Sequence, residues 1–175
     1  MIKQVILLLS ALTISCTCIK KSSIESNIEQ KSAADCPTDG DCTTVLFENK
    51  SLSIKTDDIG SIYYTLNDNL ETSVIKFEYN KKIDTTLQDN SYREEVLFEI
   101  PNSFNITTDL QNNELQSVKM IYGKHCFCRG QAGIYKVNQG KLNIIKDKNQ
   151  IYFETDFEIP NIDQKIKKIK STVNY

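Results

Sequence analysis

Two stretches decide the fold class: SVIKFEY at residues 73–79 and EEVLFEI at residues 94–100. In the first, Ile75, Phe77 and Tyr79 fall on one side of an extended chain, with Lys76 and Glu78 on the other. In the second, Val96, Phe98 and Ile100 share a side. Side chains alternate across a strand, so apolar residues at every second position predict half-buried antiparallel strands. A third stretch, IYFETDF at residues 151–157, repeats the pattern with Ile151, Phe153 and Phe157. Clusters of Asp, Asn, Ser and Gly separate these runs, as at residues 57–60, 67–69, 89–91, 138–140 and 147–149. Such residues favour turns. The pattern predicts about eight to ten strands in an all-β domain, a single antiparallel β-sandwich or a partly open barrel.

Within this frame, residues 133–157 read as a three-stranded meander with short loops. The polar run PNSFNITTDLQNN at residues 101–113 reads as a long loop with one helical turn. At the C-terminus, Ile162, Ile166, Ile169 and Val173 have helical spacing. Thr172, Val173 and Tyr175 favour β structure, so a closing strand is expected.

The chain has 175 residues, of which 39% are hydrophobic, enough for one globular core. A formal net charge of -2 gives no reason to expect a nucleic-acid partner, whose phosphates demand a basic surface. The beginning of the chain, MIKQVILLLSALTISCTC at residues 1–18, has another character. A lysine precedes a short apolar run that ends in small residues, the pattern of an export signal. Thr13-Ile14-Ser15-Cys16 resembles the lipobox of bacterial lipoprotein signal peptides, although Thr13 stands where that family usually has leucine. The resemblance covers the export signal alone. It implies cleavage before Cys16, acylation of that residue, and a protein held by its acyl chains to a membrane of the cell envelope, the outer membrane being favoured. The expected organisation is a signal peptide at 1–15, a lipidated flexible tether at 16–35 and a β domain at 36–175. The tether is polar and Ser-rich, and Ile24 and Ile28 do not build an apolar face on it.

The chemistry that the sequence offers centres on KHCFCRG, residues 124–130, with the only histidine, His125, and two of the six cysteines. Cys36 and Cys42 in CPTDGDC complete a set of four cysteines in the domain. Four thiolates with a histidine would suit zinc or copper(I), but neither spacing matches a C-x-x-C zinc knuckle. An exported chain meets an oxidising compartment, so Cys36, Cys42, Cys126 and Cys128 are expected in disulfides and no metal or other cofactor is expected. If the strand runs on to Cys128, Cys126 and Cys128 lie roughly 7 Å apart at Cα, the edge of what a disulfide tolerates. The two other pairings join the CPTDGDC loop to the KHCFCRG strand, and these are the expected ones.

No phosphate loop, H-E-x-x-H or G-x-S-x-G is present. Asp35, Asp39 and Asp41 lack the pattern of a calcium loop and read as a solvated turn. Asp57-Asp58 and Glu94-Glu95 read as solvent-facing turn and strand residues. No catalytic residue stands out. The sequence is therefore read as a non-enzymatic envelope lipoprotein, a binding or structural module. Its partners are the membrane, through the acyl chains, and another envelope protein, a glycan or a small ligand. The alternatives are an envelope hydrolase whose carboxylates only the fold assembles, and a cysteine-based metal-handling lipoprotein.

Overall fold

A computed structural model describes residues 36–83, 90–103 and 106–174. The expected signal peptide, Cys16 and the expected tether lie outside the described residues. The strands are β1 (Gly40–Phe47), β2 (Lys50–Thr56), β3 (Ile62–Asp68), β4 (Thr72–Lys81), β5 (Tyr92–Pro101) and β6 (Ile106–Gln111), followed by a 3-10 helix (Asn112–Val118). Then come β7 (Ile121–Cys126), β8 (Gly133–Lys136), β9 (Gly140–Lys146), β10 (Gln150–Phe157) and β11 (Lys168–Asn174).

All ladders are antiparallel. One sheet has the order β1-β4-β5-β7-β8, a second β11-β10-β9-β6, and β2-β3 forms a separate hairpin. Neither large sheet closes into a barrel, so the expected all-β sandwich is the architecture. The main core fills the space between the large sheets, with Ile75, Phe77, Val96, Phe98 and Tyr122 from one and Leu142, Ile144, Ile151, Phe153 and Ile169 from the other. Phe98 meets Phe153 edge to face at 5.1 Å. At one edge the sheets are joined by a buried hydrogen bond of 2.7 Å between the Thr44 and Ser171 hydroxyls.

The five-stranded sheet is covered on its other side too. The β2-β3 hairpin lays Leu52, Ile54, Tyr64 and Leu66 over Val74, Leu97 and Ile121, making a second, smaller core. Strand β5 lies between the two layers, and Glu94 to Phe98 are five consecutive buried residues. Period two marked the inward faces of β4, β5 and β10 correctly, but the third layer makes the opposite face of β5 interior as well.

Three local expectations are corrected. Residues 106–111, read as loop, form edge strand β6, which pairs with β9 through Thr108↔Ile144 and Leu110↔Leu142. Its polar residues belong to the exposed side of an edge, where a β-rich composition is not required. The meander of residues 133–157 is divided: β8 pairs with β7, whereas β9 and β10 pair in the other sheet. Val137, fully buried, carries the chain across the core between them. The count also rises to eleven strands among the described residues. The C-terminal segment is a strand as expected, with Ile169 and Val173 inward.

The interlock of Phe98 with Phe153 is the tie that a single truncation can break. Phe98→Ala should cost about 3–5 kcal/mol of unfolding free energy, measured by urea unfolding. A cost below about 1 kcal/mol would mean that the sheets are held together elsewhere.

Candidate functional site

The residues of KHCFCRG are placed by β7 and the bend that follows it. β7 ends at Cys126, and the chain turns at Phe127. That bend brings the Cys126 and Cys128 Cα atoms to 5.2 Å, and the two residues are disulfide-bonded to each other. Cys36 and Cys42 form the other disulfide, with Cα atoms 5.8 Å apart. The expected cross-link between the two segments is therefore corrected. The strand does not run on to Cys128, so the adjacent pair is reachable after all. In the chain-entropy picture the six-residue separation of Cys36 and Cys42 is worth only about 2 kcal/mol, against about 4–5 kcal/mol for a long-range bridge. Position along the sheet is set by the β1–β4 ladder, in which Cys42 faces Tyr79. Phe127, between the paired cysteines, is left largely exposed.

Glu94 and Glu95 overturn the solvent-facing reading, since each is 1% exposed. They point to opposite faces of β5 and do different work. On the face toward the four-stranded sheet, Glu94 accepts the backbone N–H groups of Lys165 and Ile166, both at 2.8 Å, and the Tyr92 hydroxyl. Beside it Lys124, also buried, donates to the Asp163 carbonyl and lies 5.5 Å from the centre of the Tyr92 ring. Glu94 and Lys124 thus pin the irregular connection from β10 to β11. Asp39, in the turn before β1, accepts the Tyr79 hydroxyl at 2.9 Å, and this bond holds its carboxyl below the ordinary carboxylate range.

On the face toward the hairpin, Glu95 is the centre of a charge cluster. Its Oε1 accepts from Nε2–H of His125 at 2.9 Å and from the Tyr64 hydroxyl at 3.1 Å. The Lys76 ammonium lies 3.1 Å from Oε2. Lys76 also pairs with Glu78, whose carboxylate takes Arg93 at 3.2 Å and the Asn80 amide at 2.8 Å. Gly123 makes room for this arrangement. A Cβ there would stand 2.9 Å from both Cγ and Oε1 of Glu95, so only glycine leaves the slot that the carboxylate occupies. Burial pushes the Glu95 carboxyl up, but the His125 hydrogen bond and the Lys76 charge outweigh it and hold it at about 2. Burial, with Glu95 adding its charge, raises the Tyr64 phenol.

This cluster brings together a histidine and a buried carboxylate, a pairing that alternation along one strand could not reveal. As chemistry it is self-contained. Oε1 of Glu95 accepts two hydrogen bonds, Oε2 has the Lys76 ammonium beside it but no hydrogen bond, and among the described residues no hydroxyl or thiol nucleophile is hydrogen-bonded to His125. The nearest cysteine sulfurs in sequence are bound in a disulfide. No group of three or more His, Cys, Asp or Glu side chains among the described residues is placed to hold a metal ion. Tyr64, Lys76, Glu78 and Arg93 were not marked by the sequence reading. The available signal was Gly123 inside a strand pattern, which often marks a close approach.

The same sheet face carries an open groove of about 650 Å³. Ser53, Ile54 and Thr56 of β2 form one wall, with Gln116, Lys119 and Lys136 opposite. Lys119 donates to Glu99 at 2.8 Å, and Glu99 also accepts the Leu52 N–H at 2.7 Å. Lys119 follows the 3-10 helix with φ of 53°, a left-handed conformation uncommon outside glycine and asparagine. No acidic side chain among the described residues pairs with Lys136, which is exposed. No protein-family model, curated protein or solved structure matches the chain.

Two outcomes follow from this geometry. Glu95 titrates near 2 in the folded chain against an ordinary 4.5, so its stabilisation is complete above about pH 4.5 and is lost as pH falls toward 2. That difference corresponds to about 3 kcal/mol. Glu95→Gln should be less stable at pH 7 and should show a flatter loss of stability between pH 4.5 and 2; equal slopes in chemical unfolding would show that the carboxylate is not so held. For the disulfides, tryptic cleavage after Lys124 and Arg129 without reduction should release HCFCR carrying its own bond. A fragment joined to the peptide containing Cys36 and Cys42 would contradict the pairing.

Proposed function

We propose that the chain is an envelope lipoprotein, anchored by acyl chains on Cys16, whose β domain works as a binding module through the groove beside β2. The anchor is supported by the lipobox-like Thr13-Ile14-Ser15-Cys16 behind a charged and apolar start. Stable anchoring needs more than one acyl chain, as a diacylated cysteine provides. The observation that carries the binding reading is the groove, a concave surface with a cation, Lys136, that no carboxylate among the described residues pairs, and with a β2 edge that no strand among them joins. The Glu95 cluster supports the same reading in another way. Its charges are consumed by one another, which suits a brace that seats the hairpin and shapes the groove rather than a reaction centre.

Metabolic labelling should place palmitate on the wild-type protein and not on Cys16→Ala, which should be recovered unprocessed or soluble. A labelled, processed Cys16→Ala protein would overturn the anchor. A photo-crosslinking residue at Ser53 should give a discrete adduct in cells, whereas one at Ile145, exposed on the outer face of the other sheet, should give none. Adducts at neither site, or equally at both, would overturn the groove as the binding surface.

A further inference from the structure

We infer that the groove takes an extended acidic polypeptide segment, added as a third strand along the free edge of β2. This rests on the groove being the binding surface and specifies what fills it. The backbone accounting of the hairpin leads there. Asn69 N–H donates to the Asn49 carbonyl just before β2, and Asp57 N–H donates to the Ser61 carbonyl just after it. Odd positions are therefore the hydrogen-bonded ones of the β2–β3 ladder, with Ser51↔Asn67, Ser53↔Thr65 and Lys55↔Tyr63 between them. Even positions turn their N–H and C=O away from β3. Two side-chain contacts confirm the assignment from the other side: Leu52 N–H donates to Glu99, and the Lys50 carbonyl accepts the Thr72 hydroxyl.

The first half of this edge is thus blunted by Glu99 and Thr72, as exposed edges usually are. The second half is not. Beyond Leu52 N–H, the outward backbone groups of Ile54 and Thr56 face the groove without a partner among the described residues. An edge with open donors and acceptors is a template for another strand, whose main chain supplies affinity and whose alternate side chains supply specificity. Glu99 already shows what the edge accepts, since a carboxylate oxygen occupies the position that an incoming carbonyl would take at Leu52.

The charge of the partner follows from the opposite wall. Glu99 satisfies Lys119, but among the described residues Lys136 has no carboxylate and no other acidic side chain lines the groove. An added strand places every second side chain toward this wall, so a glutamate or aspartate at that spacing would meet Lys136. The same wall disfavours a second copy of this chain pairing β2 to β2, because it would bring the lysines of both copies together.

The probe is the peptide acetyl-Thr-Glu-Thr-Glu-Thr-amide, with its Lys-for-Glu counterpart as control, added to the full chain in detergent. In the free protein the Ile54 and Thr56 amides should exchange quickly with solvent while those of Ser53 and Lys55 are protected. The acidic peptide should slow Ile54 and Thr56, and the basic one should not. Thr56→Pro removes an outward N–H without touching the β3 ladder, and should weaken the acidic peptide by about tenfold, the worth of one to two hydrogen bonds; Lys136→Glu should do the same, both with unchanged melting. Unslowed amides at saturating acidic peptide would overturn strand addition, as would equal slowing by both peptides. Equal slowing by dextran sulfate would show that the groove reads charge alone and would overturn it too. A Ser53 crosslink in cells combined with a failed peptide test would leave the groove a binding surface and reject only the strand as its occupant.

Discussion

From Glu94 to Phe98, strand β5 has no solvent side, and the rest of the domain is arranged around that constraint. Its inward residues Val96, Phe98 and Ile100 belong to the main core, and Leu97 belongs to the smaller core under the hairpin. Any charge on such a strand must be paired where it stands, because burying an unpaired carboxylate costs far more than the fold gains from any one contact. Glu94 and Glu95 meet this demand in opposite directions. One is satisfied by backbone N–H groups of the connection to β11, the other by His125, Tyr64 and Lys76. Two carboxylates side by side in sequence thereby fasten two separate parts of the molecule.

This arrangement explains why the hairpin sits where it does. Leu52 and Ile54 supply apolar contact with the sheet, but apolar contact alone would tolerate sliding. The Tyr64 bond to Glu95 and the Leu52 bond to Glu99 fix it at two points along β5. The groove exists because the hairpin crosses the sheet without pairing to it, leaving one edge of β2 standing beside the 3-10 helix and β8. Brace and groove are thus consequences of one packing decision.

The disulfides contribute locally rather than globally. Each closes a short segment, one around the turn that enters β1 and one at the bend that leaves β7. Such links leave sheet pairing to carry the topology. The second of them also holds Phe127 out into solvent, at the end of the sheet opposite the groove residues Lys119 and Lys136, which flank the start of β7 and the end of β8.

The sequence by itself determined the strands that one core face defines. β4, β5 and β10 were legible because period two records burial on one side, and β11 because the β preference of Thr172 and Val173 outweighed the helical spacing of Ile162, Ile166, Ile169 and Val173. It also singled out the four domain cysteines that the structure finds in disulfides. Tertiary structure alone decided the rest, for a common reason: each feature depends on residues distant in sequence. Glu95 looked solvent-facing because nothing within β5 announces the hairpin that covers it, whose Tyr64 lies 31 residues upstream. The polar residues of β6 looked like loop because its partner β9 lies more than thirty residues away. The cysteine pairing turned on one bend at Phe127, and the groove on which edge of β2 was left unpaired, a parity that only the ladder with β3 sets.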